Sequence, residues 1–303
     1  PVVPASTIAG KLRRAAAELL YESLLARKLQ LKPAAFNTLN AGTATTSLNP
    51  EAKTADLVRI ARDDAFLGLF GGTTFALAAG SVIAEGWPIT ADTEQLLMSP
   101  RLVEASPLSG MNDLTEMLAI VRKNDLTGMS YARLDELLGV QAVTDALQTD
   151  SSNRAESKAR RKAGEDGTKT DLRTLNAIEA VRVGVPFALR VRVDAPTPHH
   201  LGLMLLALQR LLRDGQLGGR GARSWGSFVC EASRLYQLSP GSARMEPLCQ
   251  PFGDRTSDYA LADHPVLQRA EDAAQAYLAD CTPARYNAFA EGDVAAITAM
   301  AEA

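Results

Sequence analysis

The strongest constraint on the fold is a strand–helix–strand pattern in the second half of the chain. Apolar residues alternate over residues 181–193, which predicts a strand with one buried face. A helical apolar period begins near Pro198, and Gly215 stands where such a helix would end. Residues 224–235 return to a strand pattern. This order predicts an α+β fold class.

The first half of the chain supplies the preceding elements of such a fold. Residues 7–29 have helical apolar spacing, with Ser6 or Thr7 as the N-cap, and residues 57–66 have the same period. A strand is expected at residues 75–83. The predicted order lacks only a leading strand to make a βαββαβ unit, so we expect such a strand to precede the sequence given.

Other segments predict irregular structure or helices. Residues 33–50 are rich in Asn, Thr, Gly and Pro, which is typical of an irregular insertion. Residues 150–170 are almost wholly polar, which predicts a loop or arm. The last 50 residues predict two helices joined near Thr282 and Pro283.

Composition limits the class of protein. With 303 residues, 46% of them apolar, the chain can bury a sizeable core. Cys230, Cys249 and Cys281 are too widely spaced to suggest a disulfide framework or a zinc knuckle, and a cytoplasmic location is expected. The uncharged window 66–84 contains seven Gly, Thr or Ser residues among 19, so it predicts a turn and a buried strand instead of a membrane span.

Charge is unevenly distributed. The formal net charge is −3, but residues 154–192 hold ten basic and five acidic side chains, and residues 210–223 hold four basic and one acidic. Residues 254–303 hold nine acidic and three basic side chains. The separation predicts a basic working surface and an acidic region that faces elsewhere.

The most informative motif is the glycine-rich segment 215–226. Five glycines in twelve residues let a backbone approach a ligand closely, and Arg220 and Arg223 supply charge for phosphates. The spacing does not match a P-loop, a nucleophile elbow or a dinucleotide-binding turn. The alternative is a tight helix-to-strand turn with exposed arginines.

A second motif is the basic start of the first helix. Lys11, Arg13 and Arg14 oppose the helix dipole, at a cost of up to about 1 kcal/mol each at exposed sites, which a bound anion would offset. The alternative is an ordinary N-cap followed by a solvated basic face.

Together these motifs resemble the backbone subunit of class 1 CRISPR effector complexes, the group of the RAMP superfamily often called the seventh Cas family. Residues 4–13 resemble the family's first-helix motif, residues 69–72 resemble its Phe-Gly turn, and residues 218–226 resemble its diagnostic glycine-rich loop. Ala5 and Ala9 replace the family's common Gly and Lys.

The resemblance implies a domain organisation. We expect an RRM-like or ferredoxin-like palm at residues 1–238, with finger-like insertions at about 33–66 and 88–150. A thumb-like arm is expected at about 150–174, and a mostly helical extension at 239–303, which is similar to type IV versions of the family.

The resemblance also implies partners and RNA-binding residues. Copies of the chain would stack head to tail along a crRNA guide as a helical oligomer, with other Cas subunits, and present the guide to a DNA or RNA target in antiviral defence. No enzyme activity, cofactor, metal or membrane is implied. The expected RNA-binding residues are Ser6, Thr7, Lys11, Arg13, Arg14, Lys158, Arg160, Arg161, Gly218, Gly219, Arg220, Gly221 and Arg223.

Two rival readings stay open. The first is an endoribonuclease of the same superfamily: type III relatives cleave target RNA with an aspartate ahead of the first-helix motif, and guide processing could use His199 or His200 as general base. Adjacent histidines on a helix point about 100° apart, so we expect these two to be exposed and not to share a site. The second rival is an unrelated globular protein whose glycine loop is only a turn.

Overall fold

A computed structural model describes residues 2–42, 52–89, 114–121, 175–218, 226–238, 241 and 245–302. This part of the chain is a mixed α+β protein. Its helices are α1 (Ala5–Ala26), α2 (Pro33–Ala41), α3 (Thr54–Asp63), α4 (Ala65–Phe70), α5 (Pro198–Asp214), α6 (Pro265–Asp280), α7 (Pro283–Glu291) and α8 (Val294–Glu302). Its strands are β1 (Ser81–Ile83), β2 (Trp87–Pro88), β3 (Thr115–Val121), β4 (Leu175–Val181), β5 (Phe187–Ala188), β6 (Val191–Val193), β7 (Leu235–Leu238) and β8 (Met245–Cys249).

The strands of the described residues pair as antiparallel ladders of two: β1 with β6, β2 with β5, β3 with β4 and β7 with β8. Further backbone bonds join the first two ladders into one interrupted ribbon. The Ala84 amide donates to the Arg190 carbonyl at 3.0 Å, and the Ile89 amide donates to the Pro186 carbonyl at 2.8 Å. The ribbon packs against the helices through one face, because Val191 and Val193 contact the main core.

Helix α1 is the centre of the core. Leu12, Leu20 and Leu24 have no exposed surface, and the four-residue spacing that they share with Ile8 and Ala16 makes one apolar stripe. Burying one such leucine stabilises the fold by about 1.5–3 kcal/mol. Helices α2 and α5 pack against α1, and α6 and α4 make smaller contacts with it.

Helices α1 and α5 run antiparallel. In the last third of α5, the Arg210 guanidinium pairs with Glu18 and Glu22 in the second half of α1, at 2.8 Å each. The same geometry raises the pKa of Arg210, mainly through its hydrogen bond to Glu22. Burial raises the pKa of Glu18, against the attraction of Arg210, and the nearby carboxylate of Asp214 raises it further. Asp214, the last residue of α5, therefore also lies near Glu18.

The C-terminal end of α1 and the N-terminal end of α5 both contact the end of α6. Arg27, just after α1, donates to the carbonyls of Leu278 at 3.2 Å and Cys281 at 2.6 Å, at the end of α6. The neighbouring Tyr277 ring stacks on His199, in the first turn of α5, with centroids 6.0 Å apart. The end of α1 and the start of α5 therefore share one end of the molecule, and the end of α5 points toward the start of α1.

The predicted helix over residues 198–214 is confirmed. It begins at Pro198 in the N1 position and ends at Gly215, which has a φ of +59° and lies in the left-handed region. The first helix is also confirmed, although it starts at Ala5 and ends at Ala26 instead of spanning 7–29.

Three predicted segments in the first third of the chain differ from the structure. Within the expected irregular insertion 33–50, α2 forms because Pro33 starts it and Gly42, with φ +74°, ends it. The predicted helix 57–66 is two helices, α3 and α4, because Asp64 is extended and caps α4. The predicted strand 75–83 is reduced to β1, because Gly72 and Leu77 form a tight bridged turn.

The predicted single strand 181–193 is also interrupted. Gly184 adopts a φ of +88°, and Pro186 cannot donate to a ladder, so the chain turns between β4 and β5. Val183, expected on the buried face, is fully exposed. The strand expected at 224–235 is found only from Leu235 onward among the described residues.

The C-terminal part forms three helices where two were predicted. Gly292, with φ +71°, ends α7, and the Asp293 carboxylate accepts from the Ala296 amide at 3.0 Å, which starts α8. These helices belong to the same core as α1, because Tyr286, Phe289 and Ile297 are buried in the main cluster. None of the described helices combines the length and the apolar character that crossing a membrane requires.

Candidate nucleic-acid interface

The start of α1 has uncapped backbone amides. The N-cap is Pro4, which offers no side-chain acceptor, and the expected capping by Ser6 or Thr7 is wrong because both lie inside the first turn. The first N–H groups of a helix have no intrahelical acceptor and carry the positive end of its dipole. The first turn contains no acidic side chain. This end of α1 therefore suits an anion.

A cationic face continues from this end of the helix. Thr7, Lys11 and Arg14 follow one another at spacings of four and three residues, so they share one face. Lys11 is half-buried, while Ser6 and Arg14 are exposed. The Arg14 side chain donates from Nε to the Gly10 carbonyl at 3.1 Å, which leaves its terminal nitrogens toward solvent. We call Ser6, Thr7, Lys11 and Arg14 the α1 face.

Arg13 has a different position from the one expected. Its side chain is buried, and its guanidinium donates to backbone carbonyls inside the protein. The acceptors are the carbonyl oxygens of Leu39 at 2.7 Å, Phe70 at 2.9 Å, Gly71 at 3.0 Å and Thr38 at 3.3 Å. Arg13 is therefore removed from the expected RNA-binding set, because reaching a phosphate would break these bonds.

Two helix ends explain how a cation is tolerated at this position. Thr38 and Leu39 are in the last turn of α2, and Phe70 and Gly71 are at the end of α4, so both negative helix ends face the guanidinium. Burial lowers the pKa of Arg13 to about 10, so the group stays charged near neutral pH. The Phe66 and Phe70 rings lie 5.4 and 6.0 Å from its central carbon and add cation–π attraction.

The base of the glycine-rich loop is a closed stem. The Leu217 amide donates to the Gly226 carbonyl at 2.9 Å, and the Phe228 amide donates to the Gly215 carbonyl at 2.8 Å. Gly226 has a φ of +75°, and a Cβ there would lie 1.8 Å from the Leu217 carbonyl oxygen, so only glycine fits. Gly218 has a φ of +98° with open space around it. Residues 219–225, with Gly219, Arg220, Gly221 and Arg223, lie outside the described residues, as do Lys158, Arg160 and Arg161.

The stem and the α1 face belong to two helices that pack on each other. Because α5 ends near Glu18, the stem that follows α5 begins close to α1. Leu217 packs against the main core, to which Ile8 and Leu12 of α1 belong. The α1 face and the described stem, more than 200 residues apart in sequence, thus lie on neighbouring helices that share one core.

His199 and His200 share one structural task, contrary to the expectation that they point apart. The Nε2 atom of His200 donates to the Ala61 carbonyl at 2.8 Å, and that of His199 donates to the Arg62 carbonyl at 3.0 Å. Both acceptors are in the last turn of α3, and the two rings lie 4.7 Å apart. The histidines therefore cap the end of α3.

The environment of His200 opposes a catalytic role for it. Because Nε2 donates to a carbonyl, Nδ1 carries no proton, and it accepts from the Thr197 hydroxyl. Burial is the main cause that lowers the pKa of His200, so the ring is neutral near pH 7. Neither ring nitrogen of His200 is left to take a proton from RNA, which disfavours the guide-processing reading at this residue.

A polar cluster around the buried carboxylate of Asp64 was not predicted from the sequence. Asp64 is 1% exposed; it accepts from the Leu67 amide at 2.8 Å and the Tyr277 hydroxyl at 3.0 Å, and it pairs with Arg285 at 3.2 Å. The cluster forms a wall of a cavity of about 440 Å³ that His199 also lines. The signal in the sequence was the Asp63-Asp64 pair inside the predicted helix 57–66, because Asp is typical of an N-cap. Among the described residues, no group of three acidic, His or Cys side chains is placed to hold a metal.

Comparison with known proteins gives no family assignment. No protein-family model and no curated protein matches the sequence.

Proposed function

We propose that the chain is a guide-RNA-binding backbone subunit of a class 1 CRISPR effector complex and is not itself an enzyme. The observation that supports the proposal is that the helix carrying the α1 face packs on α5, the helix that leads into the glycine-loop stem. The choice of a guide RNA as the ligand rests on the three family-like motifs and their order along the chain.

The binding mechanism is electrostatic and independent of RNA sequence. Uncapped amides at the start of α1 and the hydroxyls of Ser6 and Thr7 donate to phosphate oxygens, as helix N-termini commonly do. Lys11 and Arg14 neutralise phosphates and release counterions. The glycines and arginines from Gly218 to Arg223 are the proposed contacts to the next phosphates, since glycines let a backbone approach a ligand closely.

The proposal includes an assembly. Copies join head to tail through a heterologous, open-ended interface, so the number of copies follows the length of the guide. The finer fold belongs to the same proposal: an RRM-like palm at residues 1–238, fingers at about 33–66 and 88–150, a thumb at about 150–174 and a type IV-like extension at 239–303. Other Cas subunits and a DNA or RNA target complete the complex in the cytoplasm.

The first test removes one loop cation. Arg220→Ala is expected to weaken binding to guides of every sequence and to lower the slope of log affinity against log salt by roughly 1. Arg269→Ala, an exposed arginine of α6 in the acidic region, is the matched control and should leave the slope unchanged. Equal slopes for wild type and Arg220→Ala would count against the proposal.

A second test separates the proposal from its rivals. Small RNA of uniform length should purify with the protein from a host that expresses the guide, and a merely globular protein would carry none. Incubation of the complex with matched RNA and a divalent metal should give no cleavage by this subunit. Regularly spaced cuts would instead identify an endoribonuclease of the type III kind.

A further inference from the structure

We propose that Trp87 is a base-stacking residue for single-stranded RNA, on the solvent side of the ribbon beside Arg190 and Arg192. The inference rests on the proposed function and extends it, because the α1 face and the glycine loop bind phosphates only. It assigns a contact to the bases themselves.

Strand pairing brings Trp87 and the two arginines to neighbouring positions of the ribbon. Val82 pairs with Arg192 and Trp87 pairs with Ala188, with one extra residue on the Trp87 side between the two ladders. Val191 and Val193 pack into the core, so Arg192 between them points away from it, and Arg190, between the two strands, is exposed.

Trp87 and the two arginines lie on the solvent side, and Leu189 between the strands is exposed too. Trp87 is 44% exposed although the next residue, Pro88, is buried. Arg190 is exposed, and the Arg192 side chain is 64% exposed. Arg192 pairs with Asp194 at 2.9 Å, but a surface pair of this kind is worth only about 0–1 kcal/mol and can be exchanged for a phosphate.

The backbone that carries Trp87 is held in place. Gly86 donates to the Val3 carbonyl and accepts from the Val3 amide, both at 2.8 Å. A Cβ at Gly86 would lie 2.6 Å from the Leu189 side chain, so the close packing on both sides depends on glycine. The indole is thus presented by a fixed backbone, which lowers the entropy lost when a base stacks on it.

The position of Trp87 relative to α1 favours RNA as the occupant. Val3 comes directly before the Pro4 N-cap, so the chain that begins α1 is hydrogen-bonded to the neighbour of Trp87. A strand whose phosphates lie at the start of α1 therefore passes the indole. An aromatic ring flanked by arginines is typical of single-strand binding, and stacking tolerates any base, which fits a guide of variable sequence.

The test uses two ligands of equal length, a uridine-rich RNA and the same ribose-phosphate chain without bases. Trp87→Ala is expected to weaken binding to the RNA between about 5-fold and 150-fold and to leave the salt slope unchanged, because stacking and not charge is lost. Binding to the abasic chain should stay the same. Leu238→Ala, a change at another exposed apolar side chain, is the matched control.

Tryptophan fluorescence gives a second readout. RNA should quench wild type more than Trp87→Phe, since that variant retains only Trp225, and the abasic chain should show no such difference. Trp87→Phe should also recover part of the affinity, because a phenyl ring still stacks. Urea unfolding of both variants checks that the fold is intact.

The outcomes distinguish a failure of the proposed function from a failure of the stacking role of Trp87 alone. If wild type binds neither ligand, the proposed function fails and the stacking role fails with it. If wild type binds RNA but prefers it no more than the abasic chain, or Trp87→Ala binds RNA as wild type does, only the stacking role fails. Loss of self-association by Trp87→Ala in the absence of RNA would show a protein contact and would also overturn it.

Discussion

Arg13 and Arg14 are neighbours in sequence, but they belong to regions of opposite character. Arg13 lies in the core and donates to four carbonyls at the ends of α2 and α4, whereas Arg14 is exposed on the α1 face. A helix turns about 100° per residue, which is enough to send adjacent side chains into the interior and into solvent. A basic run in a helix is therefore not one surface.

The comparison extends to helix ends. Four C-terminal ends are covered by donors from other elements: α2 and α4 by Arg13, α6 by Arg27, and α3 by the two histidines. The N-terminal end of α1 has no side-chain cap. Arginine and histidine donors satisfy these carbonyls, and the amides at the start of α1 are left where a ligand can reach them.

The largest effect is expected for a substitution of the buried Arg13. Arg13→Met should lower the free energy of unfolding by about 3–5 kcal/mol, because four buried carbonyls lose their donor. Urea denaturation measures it. Arg14→Met, the adjacent and exposed position, should change stability by less than about 0.5 kcal/mol. Similar losses for both variants would contradict the assignment of Arg13 to the core.

Two glycine substitutions test the stem of the glycine-rich loop. Gly226→Ala should cost about 1–3 kcal/mol and weaken RNA binding without removing a charge, because the new Cβ would meet the Leu217 carbonyl at a strained φ. Gly218→Ala, where a Cβ meets nothing but φ is +98°, should cost only the backbone strain of about 1 kcal/mol. Thermal unfolding and RNA titration distinguish them. The stem model would be wrong if Gly218→Ala were the more damaging change.

The α1 face itself should affect binding and not stability. Replacing Lys11 and Arg14 together by Ala should lower the salt slope for single-stranded RNA by about 1.4, from roughly 0.7 per lost phosphate contact. Filter binding over a salt series measures the slope. A double variant that binds and titrates like wild type would remove this face from the interface.

The smallest expected effect is a pH dependence from His200. Its pKa is lowered in the folded state, so full stability is present above the unfolded value of about 6.5 and is lost as pH falls below it. One proton limits the slope to about 1.4 kcal/mol per pH unit. His200→Gln keeps a donor for the Ala61 carbonyl and should abolish this dependence in urea midpoints measured from pH 7.5 to 5.5. An unchanged dependence in the variant would place its origin elsewhere.

The sequence predicted best where structure is local. Helix α5 was found from its apolar period, and its end was found because Gly215 can adopt a left-handed φ. Helix α2 could have been found in the same way, since Pro33 and Gly42 are typical start and stop signals. The Asn- and Thr-rich composition of the whole segment outweighed those two residues in the prediction.

The features that the sequence did not predict depend on contacts between residues that are distant in sequence. The buried position of Arg13 depends on carbonyls of α2 and α4, and the capping by His199 depends on α3, so neither could be predicted from its own neighbours in sequence. Val183 fits the alternating pattern, but Gly184 turns the chain and exposes it. Trp87 was passed over because its outward position is set by its pairing with Ala188.

The shared core of α1 and the C-terminal helices has a practical consequence for dividing the chain. A fragment ending at residue 238 would lose Tyr277 and Arg285, and with them the partners of the buried Asp64 carboxylate. It would also uncover the apolar surface of α5 that packs on α6. Such a truncation would aggregate before its RNA affinity could be measured, so the role of the C-terminal helices is better studied by point substitutions on their exposed sides.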